Sequence, residues 1–181
     1  TYVLYVSRFE PENNAELVVR AFRKVKTDFS LVMVGDAPYA TEYKRNVYEA
    51  AERDPRIIFT GFVFGHGYKE FRSHAYCYIQ ATEVGGTHPA LIEAMGSGRL
   101  VLVNGTPENI EVVGDAGLIY RKNDVDDLAA KLQAVLDNPE VGDKMGNRAL
   151  ERIKAMYSWD AVTDRYETAF RQLIKDTKRI R

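Results

Sequence analysis

Short runs of apolar residues alternate along the chain with longer segments in which apolar residues recur at helical spacing. Several of the short runs are apolar at consecutive positions, as strands of a parallel sheet covered on both faces must be. The pattern predicts six strands, at residues 2–6, 31–34, 57–60, 76–81, 100–103 and 118–120. Because strands and helices alternate about six times, we predict one doubly wound, Rossmann-like α/β domain over residues 1–181, with a parallel sheet and helices on both faces.

The predicted helices lie between and after these strands. A first helix is indicated by one apolar stripe, formed by Leu17, Val18, Ala21, Phe22 and Val25. The segment 39–53 is rich in Ala, Glu, Lys and Arg and ends before Pro55. A further helix runs from Asp124, whose side chain caps it, to about residue 136, and an amphipathic helix spans about 158–175.

Composition narrows the class of protein. Hydrophobic residues make up 45% and charged residues 28% of the 181 residues, which is typical of a globular protein. The net charge is -1, so the chain lacks the excess of basic residues that would indicate nucleic-acid binding. The single cysteine, Cys77, lies in an apolar run and predicts a buried thiol in a reducing compartment. We predict a cytoplasmic protein without a membrane span, since no apolar stretch approaches about 20 residues. The chain opens directly on a core strand, which suggests a piece of a longer protein.

Glycines and polar residues gather directly after the predicted strands, where doubly wound folds bind their ligands. The longest such stretch is TEVGGTHPALIEAMGSG at 82–98. Its glycine pair at 85–86 frees the backbone, and Thr87 or His88 can cap a helix that starts near Pro89. The amides at that start suit a phosphate, and Glu93, one turn later, can accept hydrogen bonds from the two vicinal hydroxyls of a ribose. From spacing alone, an ordinary loop–helix junction with a surface glutamate is the commoner outcome.

The same segment resembles the donor-binding motif of the retaining glycosyltransferases of group 1 (family 4 type). That motif has a Glu, a Gly-rich turn, and a second Glu followed by Ala-Met and a small residue. The resemblance extends in order through VSRFEPENNAELVVRAF, LVMVGD, IIFTGFV, ENIEVVGDAGLIY, DVDDLAAKLQAVLDNP and YSWDAVTDRYETAF. The stretches PENN and GGTHPALIEAMG look closest to rhamnosyltransferase-like members of surface-polysaccharide synthesis.

The resemblance implies the C-terminal half of a GT-B enzyme, with two Rossmann-like domains and an active site between them. On this resemblance, the N-terminal acceptor domain would lie outside this chain. The implied partners are a nucleotide sugar, that missing domain, and an acceptor sugar or lipid-linked glycan. The implied activity is hexosyl transfer with retention and without a metal or other cofactor, in polysaccharide or glycoconjugate synthesis. The missing domain would hold the enzyme at the inner membrane face, and the isolated half is expected to be inactive.

Carried over residue by residue, the resemblance assigns donor-binding roles to Arg8, Asn13, Gly35, Phe62, Val63, Gly85, Gly86, Thr87, His88 and Glu93. Arg8 would pair with the diphosphate, Phe62 and Val63 would meet the base, and Glu93 would bind the ribose. Glu83 is the expected active-site carboxylate beside the transferred sugar.

Two departures from the family pattern keep an alternative open. Asn13 stands where the family has a diphosphate-binding lysine, and nine residues separate Glu83 from Glu93 where the family usually has seven. A non-catalytic nucleotide-sugar-binding module is therefore the alternative. An NAD-dependent dehydrogenase is excluded, because SRFEPE follows the first strand in place of G-x-G-x-x-G. Three scattered histidines and one cysteine predict no metal site.

Overall fold

The computed structural model describes the backbone of residues 1–179 and the side chains of residues 1–177. The strands in this part of the chain are β1 (Tyr2–Val6), β2 (Ser30–Val34), β3 (Ile57–Gly61), β4 (Cys77–Gln80), β5 (Leu100–Asn104) and β6 (Leu118–Tyr120). The α-helices are α1 (Ala15–Arg23), α2 (Thr41–Ala50), α3 (Gly65–His74), α4 (Pro89–Gly96), α5 (Pro107–Val113), α6 (Val125–Asp137), α7 (Pro139–Met156) and α8 (Trp159–Arg179). A short 3₁₀ turn at Pro11–Asn13 precedes α1.

The strands form one parallel sheet in the order β3-β2-β1-β4-β5-β6. Each predicted strand is present, with ends that differ from the prediction by at most one residue. The chain builds outward from β1 to β3 and then returns to place β4 on the other side of β1. The strand order therefore reverses between β1 and β4, and the predicted doubly wound fold is confirmed.

Helices cover both faces of the sheet because successive strand residues point to opposite sides. In β1, Val3 and Tyr5 pack into the core beneath α1, α2 and α6, whereas Leu4 packs into the core beneath α4, α5 and α7. Both cores are continuous with buried residues of the central strands, and Leu100–Asn104 is buried at every position. This two-sided burial is the physical reason for the unbroken apolar runs in the sequence.

The segment after β6 contains two predicted helices, α6 and α8, and one, α7, that the sequence pattern did not predict. The side chain of Asp124 accepts hydrogen bonds from the amides of Asp126 and Asp127, at 2.9 Å each, and caps α6 as predicted. Helix α7 follows directly and was not predicted. It turns Gly142, Gly146 and Ala149 toward α4 and the core. Its buried side is too poor in large apolar residues to show a helical stripe.

Candidate functional site

A groove of about 400 Å³ opens between the ends of β1 and β4, where the strand order reverses. We call it the switch-point groove, and it is lined by Val6, Ser7, Arg8, Asn13, Val34, Gly35, Phe62, Val63, Phe64, Gln80, Thr82, His88, Pro89 and Ala90. Six of the predicted donor-binding residues are among these: Arg8, Asn13, Gly35, Phe62, Val63 and His88. Open parallel sheets bind ligands at this place, because the loops after the two strands diverge and leave a crevice.

Gly35 allows the ends of β1 and β2 to approach each other beneath the groove. Its φ of +133° is one that residues with side chains rarely adopt, and a Cβ placed there would lie 1.8 Å from the carbonyl oxygen of Ser7. The Gly35 amide donates to the carbonyl of Gly61 at 2.9 Å. This position therefore requires glycine for the close passage of backbone, whatever the groove binds.

Asn13 is buried in the floor of the groove and holds the loop after β1. Its side-chain amide donates to the carbonyl of Arg8 at 3.0 Å, and its Oδ1 accepts from the hydroxyl of Thr82 at 3.2 Å. The hydroxyl of Thr82 accepts from Gln80, and Gln80 accepts from the hydroxyl of Tyr78, both at 2.8 Å. A buried chain of hydrogen bonds thus supports the groove at Asn13, where the resemblance predicted a diphosphate-binding lysine.

Arg8 lies at the rim of the groove with 64% of its side chain exposed. Its guanidinium contacts the hydroxyl of Tyr39 at 3.4 Å and the carboxylate of Glu10 at 3.2 Å. The hydrogen bond with Tyr39 and the charge of Glu10 both raise the pKa of Arg8. The rim therefore carries a permanently charged donor, oriented by two residues that the sequence pattern did not single out.

The loop after β3 presents aromatic rings to the solvent side of the groove. Phe62 and Phe64 stack with ring centroids 5.8 Å apart and planes 18° apart, and Phe64 is 78% exposed. Gly61 and Gly65 flank this loop, and both have positive φ. Phe64 was not predicted as a site residue. Its exposed ring, stacked on that of Phe62, gives the loop a flat apolar surface.

Helix α4 starts at the edge of this groove. His88 is its N-cap residue in an extended conformation, and in the described part of the chain no side chain caps the first turn. Burial lowers the pKa of His88, so the ring stays neutral near neutral pH. The glycine pair at 85–86 lies in the exposed loop before it, outside the lining of the groove. Pro89 has no N–H, and the amide of Leu91 donates to the carbonyl of His88 at 3.1 Å. The start of α4 thus presents the amide of Ala90 and a positive dipole end.

A second groove, of about 810 Å³, runs along the other side of the α4 start, and we call it the α4–α8 groove. It is lined by Thr87, Pro89, Ile92, Glu93, Tyr157, Trp159, Val162, Arg165, Tyr166 and Ala169. Pro89 lines both grooves, so the two meet at the first residue of the helix. The predicted residues Thr87 and Glu93 belong to this second groove.

The carboxylate of Glu93 is held from one side by α3. Its Oε2 accepts hydrogen bonds from the hydroxyl of Tyr68 and from Nη1 of Arg72, each at 2.7 Å. The side chain of Glu93 nevertheless remains 43% exposed. Sequence reasoning did not find Tyr68 or Arg72, because they precede Glu93 by more than twenty positions and belong to no motif.

Glu83 lies outside the lining of both grooves. Its carboxylate accepts a hydrogen bond from the side-chain amide of Asn123. The Oδ1 of Asn123 in turn accepts from Asn104 at 2.8 Å and from Asn14 at 3.1 Å. The structure therefore separates the two predicted carboxylates, with Glu83 tied to the loop before α6 and Glu93 beside the start of α4.

The described residues also bear on metal and membrane binding. Among them, no three His, Cys, Asp or Glu side chains are grouped closely enough to hold a metal ion. None of the helices in that same part of the chain combines the length and apolar character that a bilayer crossing requires.

The strand order reverses at a crevice, and beside that crevice lies the start of a helix that no described side chain caps. These features define a doubly wound α/β domain of the ligand-binding type. The family model described as "Glycosyl transferases group 1" matches residues 1–138. This match covers well over half of the sequence, and the chain belongs to the group 1 glycosyl transferases.

Individual relatives agree with this assignment. The chain is 24% identical to O-antigen chain mannosyltransferase B of Escherichia coli over 176 residues, which cover 95% of this chain and 46% of that protein. Sucrose-phosphate synthase from Thermosynechococcus elongatus superposes with a TM-score of 0.84 at 23% identity, covering 97% of this chain and 46% of that one. Anabaena HepE, solved with UDP and glucose, superposes with a TM-score of 0.81 at 18% identity, covering 95% and 48%.

The chain therefore spans about half the length of the relatives that it matches. At these identities the structural likenesses establish the fold alone. The family and the Rossmann-like fold predicted from the sequence are confirmed. The finer resemblance to rhamnosyltransferase-like members stays a prediction, as do the roles of the individual site residues.

Proposed function

We propose that this chain is the donor-binding half of a retaining, metal-independent glycosyltransferase. It would hold a nucleotide-diphosphate sugar across the start of α4, for transfer of a hexosyl group to an acceptor. The observation that carries this proposal is the meeting of the two grooves at Pro89, with Arg8 on one side and Glu93 on the other. The relatives support a nucleotide sugar as the ligand, since one is named a mannosyltransferase and another was solved with UDP and glucose.

Groups around the start of α4 can bind each part of such a donor. The diphosphate would lie at the helix start, where a free backbone amide, the helix dipole and the guanidinium of Arg8 favour an anion. His88 is neutral there and can donate one ring hydrogen bond to a phosphate oxygen. The base would meet the loop of Phe62 and Val63, and Phe64 widens the apolar surface available for stacking. The ribose would place its vicinal hydroxyls against Glu93.

The same arrangement suits departure of a diphosphate without a metal ion. Negative charge grows on the leaving diphosphate as its bond to the anomeric carbon breaks. The fixed amide at the helix start and the guanidinium of Arg8 stabilise that charge without reorganising. We assign Glu83 to the transferred sugar, which its carboxylate would meet while Oε2 accepts from the side-chain amide of Asn123. The family relatives are about twice as long as this chain, so the acceptor would bind to a further domain. We place that further domain at the cytoplasmic face of the membrane.

Binding of the donor can be tested on the 181-residue chain. Thermal shift with UDP, GDP, ADP and TDP identifies the nucleotide, and titration calorimetry then measures its affinity. We expect Glu93→Ala to abolish measurable binding, because it removes the acceptor for both ribose hydroxyls. Glu151→Ala, which removes an exposed carboxylate that pairs with Lys154 on α7, should bind like the unaltered chain. Unchanged affinity in Glu93→Ala would remove the ribose assignment.

Buried Asn13, which replaces a cation of the family pattern, favours the alternative of a binding module without transfer. The two functions differ in turnover once the acceptor-binding domain is supplied by fusion or as a separate chain. Release of free nucleotide from the sugar nucleotide supports the enzyme. Donor binding without transfer or hydrolysis supports the module.

A further inference from the structure

The carboxylate of Glu93 is saturated on one oxygen and open on the other. Oε2 accepts from Tyr68 and from Arg72, at 2.7 Å each. Within the described residues, Oε1 accepts no hydrogen bond, and the side chain borders the α4–α8 groove. A carboxylate oxygen has two lone pairs, so Oε1 alone can accept from both hydroxyls of a vicinal diol.

Tyr68 and Arg72 act from one face of α3, since they are four residues apart in the helix. The guanidinium carbon of Arg72 lies 5.3 Å from the centroid of the Tyr68 ring, which fixes the two side chains against each other. Only 18% of the Arg72 side chain is exposed, against 43% for Glu93. The donors are therefore the better-buried part of the arrangement, and the carboxylate is the part that faces outward.

Arg72 also holds the far end of α4. Its Nε donates to the hydroxyl of Ser97 at 3.0 Å, and that hydroxyl donates to the carbonyl oxygen of Glu93 at 3.0 Å. Arg72, Ser97 and Glu93 thus form a closed ring of hydrogen bonds, since Arg72 also donates to the carboxylate of Glu93. This geometry fixes both the backbone position of Glu93 and the rotation of its carboxylate.

We propose that Tyr68 and Arg72 are positioning residues that hold the carboxylate of Glu93 so that its free oxygen meets the two hydroxyls of a ribose. This inference rests on the proposed function and assigns the selection of ribose over deoxyribose to a helix outside the donor motif. An exposed glutamate would otherwise sample several rotamers. Fixing one of them before binding removes an entropy cost from the affinity.

Protonation of Tyr68 supports the arrangement over a wide pH range. Burial, and then the hydrogen bond to Glu93, raise the pKa of Tyr68 to about 12. The phenol therefore stays protonated, and donates to the carboxylate, from neutral into moderately alkaline pH.

The test compares two nucleotides: UDP, or GDP or ADP if thermal shift favours that base, and its 2′,3′-dideoxy analogue. The analogue lacks the hydroxyls that Glu93 accepts from and binds too weakly for calorimetry, so ligand-observed NMR titration measures both affinities. A preference for thymidine diphosphate, which lacks the 2′-hydroxyl, would itself overturn the proposal. Tyr68→Phe removes one hydroxyl and keeps the ring, while Arg72→Lys keeps the charge and removes the fork. We expect each to weaken UDP binding by about 3- to 10-fold, because the ribose must then meet the entropy cost of fixing the Glu93 side chain. Binding of the dideoxy nucleotide should stay within about twofold, because it offers no hydroxyl for the oriented carboxylate to accept from.

Matched controls are Tyr48→Phe, an exposed tyrosine on α2, and Arg20→Lys, an arginine paired with Glu16 one turn away on α1. Both should leave the two affinities unchanged. Equal losses for the two nucleotides in Tyr68→Phe and Arg72→Lys would mean that the pair only joins α3 to α4, which overturns the proposal, as would no loss at all. An unaltered chain that binds neither nucleotide overturns the donor-binding function itself and the positioning role with it.

Discussion

Helix α7 packs so closely on the turn after α4 that one methyl group added at Gly146 should lower the stability of the fold. A Cβ at Gly146 would lie 2.2 Å from the carbonyl oxygen of Gly98 and 3.0 Å from its carbonyl carbon. Gly142, one turn earlier and also buried, offers a matched site in the same helix. A Cβ there would lie 3.4 Å from the hydroxyl of Tyr76, which is an ordinary contact. We therefore predict opposite effects of Gly146→Ala and Gly142→Ala on stability.

The magnitudes follow from two opposing contributions. Replacing glycine by alanine inside a helix stabilises it by about 1 kcal/mol at either position. At residue 146 the added methyl must push backbone away, because a carbonyl of the α4–β5 turn cannot rotate aside as a flexible side chain can. Overpacking of this kind costs about 1–3 kcal/mol. The free energy of unfolding should therefore rise by about 0.5–1 kcal/mol in Gly142→Ala and fall by up to about 2 kcal/mol in Gly146→Ala.

Urea unfolding followed by far-ultraviolet circular dichroism measures both changes. The midpoint should shift up for Gly142→Ala and down for Gly146→Ala, with the slope m unchanged, since the surface exposed on unfolding is the same. Equal midpoints in the two variants would refute the close approach of α7 to Gly98. A lower slope in Gly146→Ala would indicate an altered native or denatured state, and a repacked α7 would then have to be considered in place of local strain.

Two further predictions concern ionisable groups. The hydrogen bond and charge of Arg56 lower the pKa of Asp54 below its ordinary value of 3.8, so this carboxylate contributes stability above about pH 4 that is lost as the pH falls. Asp54→Asn should lower the urea midpoint at neutral pH and flatten its decline in acid, and an equally steep acid decline in both proteins would contradict this. Cys77 is fully buried and burial raises the pKa of its thiol, so a thiol-specific reagent should label it only after unfolding in guanidinium. Rapid labelling of the native chain would place Cys77 at the surface.

The central strands were predictable because burial on both faces leaves a continuous apolar run in the sequence. Six of the ten predicted donor-binding residues meet in the switch-point groove for an equally simple reason: they follow strand ends or precede α4, and a parallel sheet gathers these loops at one edge. Helix α7 was missed because Gly142 and Gly146 weaken its helical signal while serving its packing. Phe64, Tyr68 and Arg72 were missed because their positions depend on how one loop and one helix are rotated, which no local periodicity encodes.

Asn13, which stands where the resemblance predicted a lysine, adds no positive charge to the site of the proposed complex. Asn13 is 8% exposed and uses its side-chain amide and oxygen to hold Arg8 and Thr82, so it supports the groove without adding charge. Among the described residues that line the switch-point groove, Arg8 alone is permanently charged, and Glu10 already offsets part of that charge. A bound diphosphate would therefore depend more on the start of α4 than it does where a lysine is present. The contacts that fix α4 in place, from Arg72 at Ser97 and from α7 at Gly98, then matter for the diphosphate as well as for the ribose.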